Sequence, residues 1–430
     1  MGTVLAEMPS WVELLQHDSA VRRTRSRTIM EHSVSVAQWL WFALCWVASF
    51  YSLIAAFAMP FFGKRPDSRR GGGTAVSVLK PLCGIEPRLY ENLVTFCEQA
   101  YPRFQLLFGV SSPVDPAIAV VWRLQAAYPQ RDIELVIDSR VHGSNPKVSN
   151  LINMAQRARH DIIVLADSDI AVEPDYLDTV TAPLADPDTG VVTCLYRAQS
   201  VGGFWPRVGA LFINEWFAPS VRVAHAGGSR RFGFGATLAL RRTTLEDIGG
   251  FEALKDCLAD DYWLAEHARA LELNTVLSPV MVATDVIEPT FTTLWRRETR
   301  WLRTIRSVNP LGFSFLFITF TTPWLFAGAL LTFSLIGTDS AAIHPFVGLM
   351  AAISTVTGGI ARMLLHARSA RYTRTFWRDL PLVPLRDTLL ALQWLGAAFG
   401  SYVVWRGARM PVINRVAQPH VSIMETTDDR

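Results

Sequence analysis

Uncharged stretches long enough to cross a bilayer bracket a middle region in which short apolar runs alternate with helical ones. Residues 36–62 carry no charge and exceed the roughly 20 residues that a spanning helix needs. Residues 308–338 and 341–361 are a second and a third such stretch. Residues 388–405 form a fourth, shorter one, directly after Arg386-Asp387, for which spanning, re-entrant and interfacial placements are all open. The first run is too long and starts too far into the chain for a cleaved signal peptide. Trp39, Trp41 and Trp46 on one side, with Lys64-Arg65 on the other, suit the two membrane interfaces.

Within the middle region, residues 76–79, 106–110, 133–137 and 162–166 are β-rich, while 88–98, 117–127 and 147–159 read as helices. That alternation predicts a parallel sheet with crossover helices. A further strand is expected at 191–195, after which the alternation loosens. Residues 204–217 carry Phe204, Trp205, Leu211, Phe212, Trp216 and Phe217. They suit either a membrane-surface segment or a helix packed on the sheet. The chain thus divides into a basic arm (1–35), a membrane helix (36–62), an α/β domain (75–307), a membrane region of three hydrophobic segments (308–405) and a polar tail (406–430).

The formal charge of +3 over 430 residues is too small to argue for a nucleic-acid partner, and none is expected. Its distribution says more. Arg22, Arg23, Arg25 and Arg27 precede the first apolar run, and Lys64, Arg65, Arg69 and Arg70 follow it, a near balance that leaves its orientation open. Arg362, Arg368, Arg371, Arg374 and Arg378 between the third and fourth stretches mark that connection as cytoplasmic, and counting back puts residues 64–307 there too. Cys45, Cys83, Cys97, Cys194 and Cys257 show neither paired nor metal-ligand spacing and read as buried thiols in a reducing compartment.

Three clusters carry the chemistry. Asp167-Ser168-Asp169 follows the run 162–166. Ligands of open α/β sheets sit at strand carboxyl ends, and paired carboxylates with phosphate oxygens are the ligand set Mg²⁺ prefers. Asp260-Asp261-Tyr262 opens a helix, where an acid serves either as a cap or as a general base for a hydroxyl. Arg297-Glu298-Thr299-Arg300-Trp301 precedes the second apolar stretch. It puts two arginines on one helical face, for phosphate binding or for interface anchoring. Lys80 after the first strand, Lys147 in Asn145-Pro146-Lys147 and Asp115 after a strand end are further candidate nucleotide contacts. No Walker A loop, G-x-G-x-x-G, G-x-S-x-G or zinc spacing of histidines occurs.

Taken together, these stretches resemble the ceramide glucosyltransferase family, membrane glycosyltransferases with a GT-A fold, and within that group the bacterial hopanoid-biosynthesis-associated glycosyltransferases. The likeness is carried by residues 78–84 (VLKPLCG), Asp115-Pro116-Ala117-Ile118, residues 145–151 (NPKVSNL), Asp167-Ser168-Asp169, Asp260-Asp261-Tyr262 and Arg297-x-x-Arg300-Trp301. The resemblance implies a Rossmann-like cytoplasmic α/β domain flanked by transmembrane helices in a bacterial inner membrane. It also implies an inverting enzyme that moves glucose or N-acetylglucosamine from a UDP-sugar to the hydroxyl of a lipid in the bilayer.

Residue by residue, Asp115 would contact the base, and Asp167 and Asp169 a divalent Mg²⁺ or Mn²⁺ and the diphosphate. Asp261 would be the catalytic base beside Asp260 on the acceptor side. Lys80, Lys147, Arg297 and Arg300 would bind the donor, and Trp301 would stand at the acceptor mouth. Many members have Gln where this chain has Arg297. The stretch around Asn214 and residues 232–237 departs from the animal pattern, which makes a hopanoid polyol a candidate acceptor beside ceramide. The alternatives are a processive polysaccharide synthase, for which the spans look too few, and a non-catalytic scaffold or transporter component. Against the latter, the spans look almost free of ionisable groups.

Overall fold

In the computed structural model the described residues are 36, 38–58, 73–336, 344–405 and 408–412. The arm 1–35, the basic residues Lys64, Arg65, Arg69 and Arg70, and most of the tail lie outside them. Helix α1 is Gln38–Ala58. Then come β1 (Val76–Pro81), α2 (Leu89–Cys97), β2 (Phe104–Val110), α3 (Ala117–Ala127), β3 (Asp132–Ile137), α4 (Pro146–Ala155), β4 (Ile162–Leu165) and the two-residue β5 (Ile170–Ala171). After α5 (Tyr176–Thr181) follow β6 (Thr189–Ser200), α6 (Phe204–Phe212), α7 (Ala218–Ala226), β7 (Leu238–Arg241), α8 (Arg242–Asp247), α9 (Asp260–Ala270) and β8 (Asn274–Val286).

These strands form one eight-stranded sheet of order β3-β2-β1-β4-β7-β6-β8-β5. The expected parallel pairing holds for β3, β2, β1 and β4; β1, β2 and β4 are mostly apolar and buried on both faces, while β3 is the half-exposed edge strand. Beyond β4 the sheet turns mixed: β7 runs antiparallel to β4 and β6, β8 parallel to β6, and β5 antiparallel to β8. The alternation loosened there because β6 and β8 are long strands carrying polar residues, and their pairing shifts register twice. Two apolar layers close the sheet, one under α2, α3 and α5 around Phe96, Phe108 and Tyr176. The other lies under α4, α8 and α9 around Leu107, Leu165 and Leu264. The domain is a mixed α/β fold of the GT-A type.

The C-terminal third is helical: α10 (Phe291–Val308), α11 (Pro310–Phe315), α12 (Thr321–Ile336), α13 (His344–Thr373), α14 (Phe376–Asp379) and α15 (Leu382–Ala398) precede a hairpin of β9 (Tyr402–Trp405) and β10 (Ala408–Pro411). Gln38–Ala58 and Gly348–Arg371 are long and apolar enough to cross a membrane. The stretch 308–338 is not one continuous span: Pro310–Thr319 and Thr321–Phe333 meet at a bend of 55°. The fourth stretch also differs from expectation. Its helix starts six residues earlier than the apolar run, encloses Arg386 and Asp387, and stops at Ala398; residues 402–405 are strand. Gly400, at a φ of 97°, makes the turn between them.

Two charge expectations change as well. Arg362, Arg368 and Arg371 lie inside α13 rather than in a loop. Arg362 is buried, with Nη1 2.6 Å from Glu215 Oε2 and Nε 2.9 Å from Asp387 Oδ2. The helices are therefore not free of ionisable groups; the charges are neutralised in buried pairs, which is how such groups persist out of water. Residues 204–217 form α6 and a π-helical turn, Ile213–Phe217. Phe212, Ile213 and Trp216 are buried with Leu302, Phe313, Phe320 and Leu390, so this segment packs between the sheet and the helical third.

Candidate active site

The carboxyl ends of β1, β2 and β4 lie side by side, and the loops after them build the site. β4 ends at Leu165, and the Asp167-Ser168-Asp169 turn is caught between β4 and β5, which pairs with β8. Beneath the turn, Lys80 is fully buried, its Nζ donating to the Asp167 carbonyl at 2.8 Å and lying 3.6 Å from the Phe96 ring centre. Burial brings its ammonium down to about 7, against the pull of Asp169 and Asp167. Lys80 therefore supports the turn from below and is not part of the cavity lining.

Lys147 is the residue that faces the acids. Asn145 caps α4, accepting from the Lys147 and Val148 amides at 2.9 and 3.2 Å with Pro146 in the first turn. The Asn145 side-chain amide donates to the Cys257 carbonyl at 2.9 Å and to Asp260 Oδ1 at 3.3 Å. That lock places Lys147 Nζ 2.8 Å from Asp167 Oδ1 and 3.3 Å from Asp260 Oδ2. Burial works against the Lys147 charge, but Asp167, Asp260 and Asp261 outweigh it and hold the ammonium above the ordinary lysine range.

Asp260 and Asp261 are the first two residues of α9, and no side chain caps that helix. The capping reading is thus not realised; both acids sit at its positive end. Asp261 Oδ2 accepts the Gly235 amide at 2.8 Å and Oδ1 its neighbour Tyr262's amide at 2.8 Å. Burial, then repulsion from Asp260, push its carboxyl up to about 6 despite Lys147 and these two amides. Asp169 is also raised, by burial and then by Asp167, while Thr284 Oγ1 donates to its Oδ2 at 2.7 Å.

The fourth wall is α10, whose start is fixed by a reciprocal Thr290/Thr293 capping box. Arg297 pairs with Glu288 at 2.8 Å and lies 4.8 Å above the Trp301 ring centre. Burial and then the like charge of Arg297 pull Arg300 down to about 10. Trp301 packs edge-on to Tyr196 and beside Phe212 and Phe217.

Lys147, Asp167, Asp169, Asp260, Asp261, Arg297, Arg300 and Trp301 border one cavity of about 740 Å³, together with Cys83, Glu86 and Ser111 at the β1 and β2 ends. Asp115 stands outside its lining. Its carboxylate holds the Gly84 amide at 3.0 Å and the Ala117 amide at 2.9 Å, fixing the β1 loop where Gly84 takes a φ of 73°. The five cysteines form no disulfide, and only Cys83 among them is exposed. Among the described residues no group of three or more His, Cys, Asp or Glu side chains is placed to hold a metal.

Sequence reasoning missed Thr284, Glu288 and Gly235. A Cβ at Gly235 would lie 2.8 Å from Asp167 Oδ2, 3.1 Å from Lys147 Nζ and 3.5 Å from Asp261 Oδ2. Only the run Phe232-Gly233-Phe234-Gly235 signalled it, as a place where backbone approaches closely.

Residues 40–416 match the family described as Glycosyl transferase family 21. The chain is 28% identical to ceramide glucosyltransferase 1 of Caenorhabditis elegans over 229 residues, 53% of this chain and 49% of that protein. It is 34% identical to the ceramide glucosyltransferase of Candida albicans over 107 residues, 22% of this chain and 20% of that one. The chain thus spans about half the length, or less, of these curated relatives. Among solved structures it is similar to the mannosyltransferase PcManGT from Pyrobaculum calidifontis in complex with GDP-Man and Mn²⁺, at 20% identity and a TM-score of 0.47, over 83% of this chain and 98% of that one. With its sheet, its paired acids and its arginine helix converging on one cavity, the chain belongs to glycosyl transferase family 21.

Proposed function

We propose that this protein transfers a hexose, glucose or N-acetylglucosamine, from a UDP-sugar to the hydroxyl of a membrane lipid, a hopanoid polyol or ceramide, with inversion at the anomeric carbon. The observation that carries this reading is Asp261. A half-buried carboxylate near pKa 6 shares a cavity with a D-x-D turn and with Arg297 and Arg300. A general base works best when its pKa lies near the operating pH.

The acceptor oxygen attacks the anomeric carbon while its proton passes to Asp261. The bond from that carbon to the diphosphate breaks, its electron pair leaving with UDP. Attack and departure on opposite faces invert the centre. Arg297 and Arg300 stand where the growing diphosphate charge needs guanidinium donors, and Lys147 balances the three acids around it.

The residues fit a divalent cation. Asp167 raises the proton affinity of Asp169, so a cation held by both would relieve a repulsion already present. Thr284 and Lys147 hold one oxygen of each acid, and two carboxylates with substrate phosphates are the usual Mg²⁺ set. Such a Mg²⁺ or Mn²⁺ would supply charge neutralisation at the leaving diphosphate.

The apolar helices seat the domain at the bilayer, so the lipid need not be extracted into water. Arg371 in the last turn of α13, Arg374 just after it and Arg378 of α14 support a cytoplasmic location for the domain, in a bacterial inner membrane; cysteines that form no disulfide fit that side.

Lipid mass spectrometry on cells with the protein, without it, and with Asp261→Asn tests the reading. A hexosylated or N-acetylhexosaminylated lipid lost in both of the latter supports it. Unchanged glycolipids overturn it.

A further inference from the structure

We infer that the apolar end of the cavity, bounded by α10 and the β9–β10 hairpin, is a distinct subsite that takes the hydrophobic body of the acceptor directly behind its hydroxyl. This rests on the lipid-glycosyltransferase reading and adds where the lipid lies and which residues hold it.

One face of α10 borders the cavity along its length: Arg297, Arg300, Trp301, Thr304, Ile305 and Val308. Those eleven residue steps cover about 16 Å at the helical rise. The chemistry changes along them, from guanidinium through indole to aliphatic. Donor and acceptor therefore meet different ends of the same helix.

The rest of this end is aliphatic too, and part of it comes from the segment that carries the base. Leu258, two residues before Asp260, borders the cavity along with Val404 of β9. Strand alternation explains how the hairpin reaches this position. Val403 turns inward and packs with Met410, Val412 and Leu258, which leaves the adjacent Val404 on the opposite face, 62% exposed.

The hairpin is also tied to α10. Arg303 donates to the Tyr402 carbonyl at 3.1 Å, and Arg306 to the Ala397 carbonyl at 2.6 Å and to the Ala398 and Gly400 carbonyls. Arginines on one face of α10 thus hold the hairpin so that Val404 borders the same cavity as Ile305 and Val308.

Apolar residues close in sequence to this end of α10 and to the hairpin are exposed: Leu311, Phe315 and Phe399 are 71%, 56% and 74% exposed, and Leu311 and Phe315 belong to the first limb of the bent apolar pair that follows α10. Apolar surface of this kind marks contact with lipid or a partner, and here it is continuous with the membrane-seating helices. A lipid leaving the bilayer over this surface meets aliphatic walls before its hydroxyl reaches Asp261. A cavity of about 740 Å³, shared with a nucleotide-sugar, encloses only the part of the lipid next to the hydroxyl; the rest stays in the membrane.

The test uses the full-length protein with UDP-glucose or UDP-N-acetylglucosamine and with ceramide or a hopanoid polyol in phosphatidylethanolamine–phosphatidylglycerol vesicles. Val404→Arg and, on α10, Ile305→Asn are compared with Val141→Arg, an exposed valine outside the cavity lining. The subsite requires the acceptor KM to rise by about tenfold or more in both wall variants, with UDP affinity by calorimetry retained and Val141→Arg like the parent. An unchanged acceptor KM in both wall variants overturns the subsite while leaving the lipid reading intact. UDP affinity falling in step with transfer also overturns it, by showing general damage. A parent protein that binds UDP and glycosylates neither lipid fails the lipid reading itself, and the subsite falls with it.

Discussion

Arg386 of α15 donates from Nη1 to Glu298 Oε2 at 2.7 Å, and both side chains are almost fully buried. Gln393 Nε2 donates to the same oxygen at 2.7 Å, and Arg386 lies 5.4 Å from the Phe212 ring centre. Glu298 stands between Arg297 and Arg300 in sequence, on the buried side of the helix that presents those arginines to the cavity. The pair therefore fixes the rotation of α10 from behind.

Removing one partner of a buried ion pair leaves an uncompensated charge, a loss of about 3–5 kcal/mol. Arg386→Met is expected to lower the melting temperature and weaken UDP binding. Glu298→Gln, which keeps an acceptor oxygen for Arg386, is expected to do both to a smaller degree. Thermal melts with and without UDP check this. A variant that melts early yet binds UDP as tightly as the parent would show that the pair holds the fold but not the arginines.

Asp261 gives a pH dependence with a definite sign. Its folded-state pKa is raised from 3.8 to about 6, so the folded protein binds this proton more tightly than the unfolded chain. Its contribution to stability is complete below pH 3.8 and is lost as pH rises through about 6. Catalysis needs the opposite state, because only the carboxylate accepts a proton. Activity is expected to climb through pH 6 and level above it. Asp261→Asn is expected to lose about 10²- to 10⁴-fold in turnover while melting no lower than the parent at pH 7.5. A pH–rate profile and a melt of the variant check both; an active Asn variant rules out the base.

The parts of this arrangement that were legible beforehand share a cause. Three of the four parallel strands, β1, β2 and β4, are short runs buried on both faces, and the segments after β4 and β3 carry Asp167 and the Asn145-Pro146-Lys147 cap, so local pattern and site coincided. The roles of Lys80 and Asp115 were not legible. A lysine or an aspartate after a strand reads the same whether it faces ligand or holds a backbone carbonyl or amide. Gly235 was missed because its importance lies in what surrounds it. The bend in 308–338 and the ion pairs of Arg362, Arg386 and Asp387 were missed because hydropathy averages over partners that come from far away in sequence.

Gly235→Ala tests how tightly that site is packed. The added methyl would stand 2.8 Å from Asp167 Oδ2 and 3.1 Å from Lys147 Nζ, so the Asp167–Lys147 pair must move. Displacing catalytic groups by about 1 Å can cost about 10²-fold, and activity is expected to fall on that scale. Stability should change by no more than the roughly 0.5–3 kcal/mol typical of point substitutions. Steady-state kinetics with a parallel melt decide it; an Ala variant of parental activity would mean that the cluster yields without consequence.

Arg362 gives the sharpest test of how the sheet domain is joined to the helices. Its Nη1 reaches Glu215 and its Nε and Nη2 reach Asp387, at 2.6, 2.9 and 3.0 Å. Thr322 Oγ1 donates to the same Asp387 at 2.6 Å, and His366 Nδ1 lies 2.6 Å from Glu215. One planar guanidinium thus bridges two carboxylates from different parts of the chain, a geometry that a lysine ammonium on a single stem does not reproduce. Arg362→Met leaves both acids buried without their cation, and it is expected to yield little folded protein in detergent. Arg362→Lys satisfies one acid at a time and is expected to fold with a melting temperature below the parent's. Fluorescence-detected size exclusion and limited proteolysis between residues 217 and 344 read this out. A Lys variant as stable as the parent would show that charge alone suffices, and that the fork geometry adds nothing to the joint.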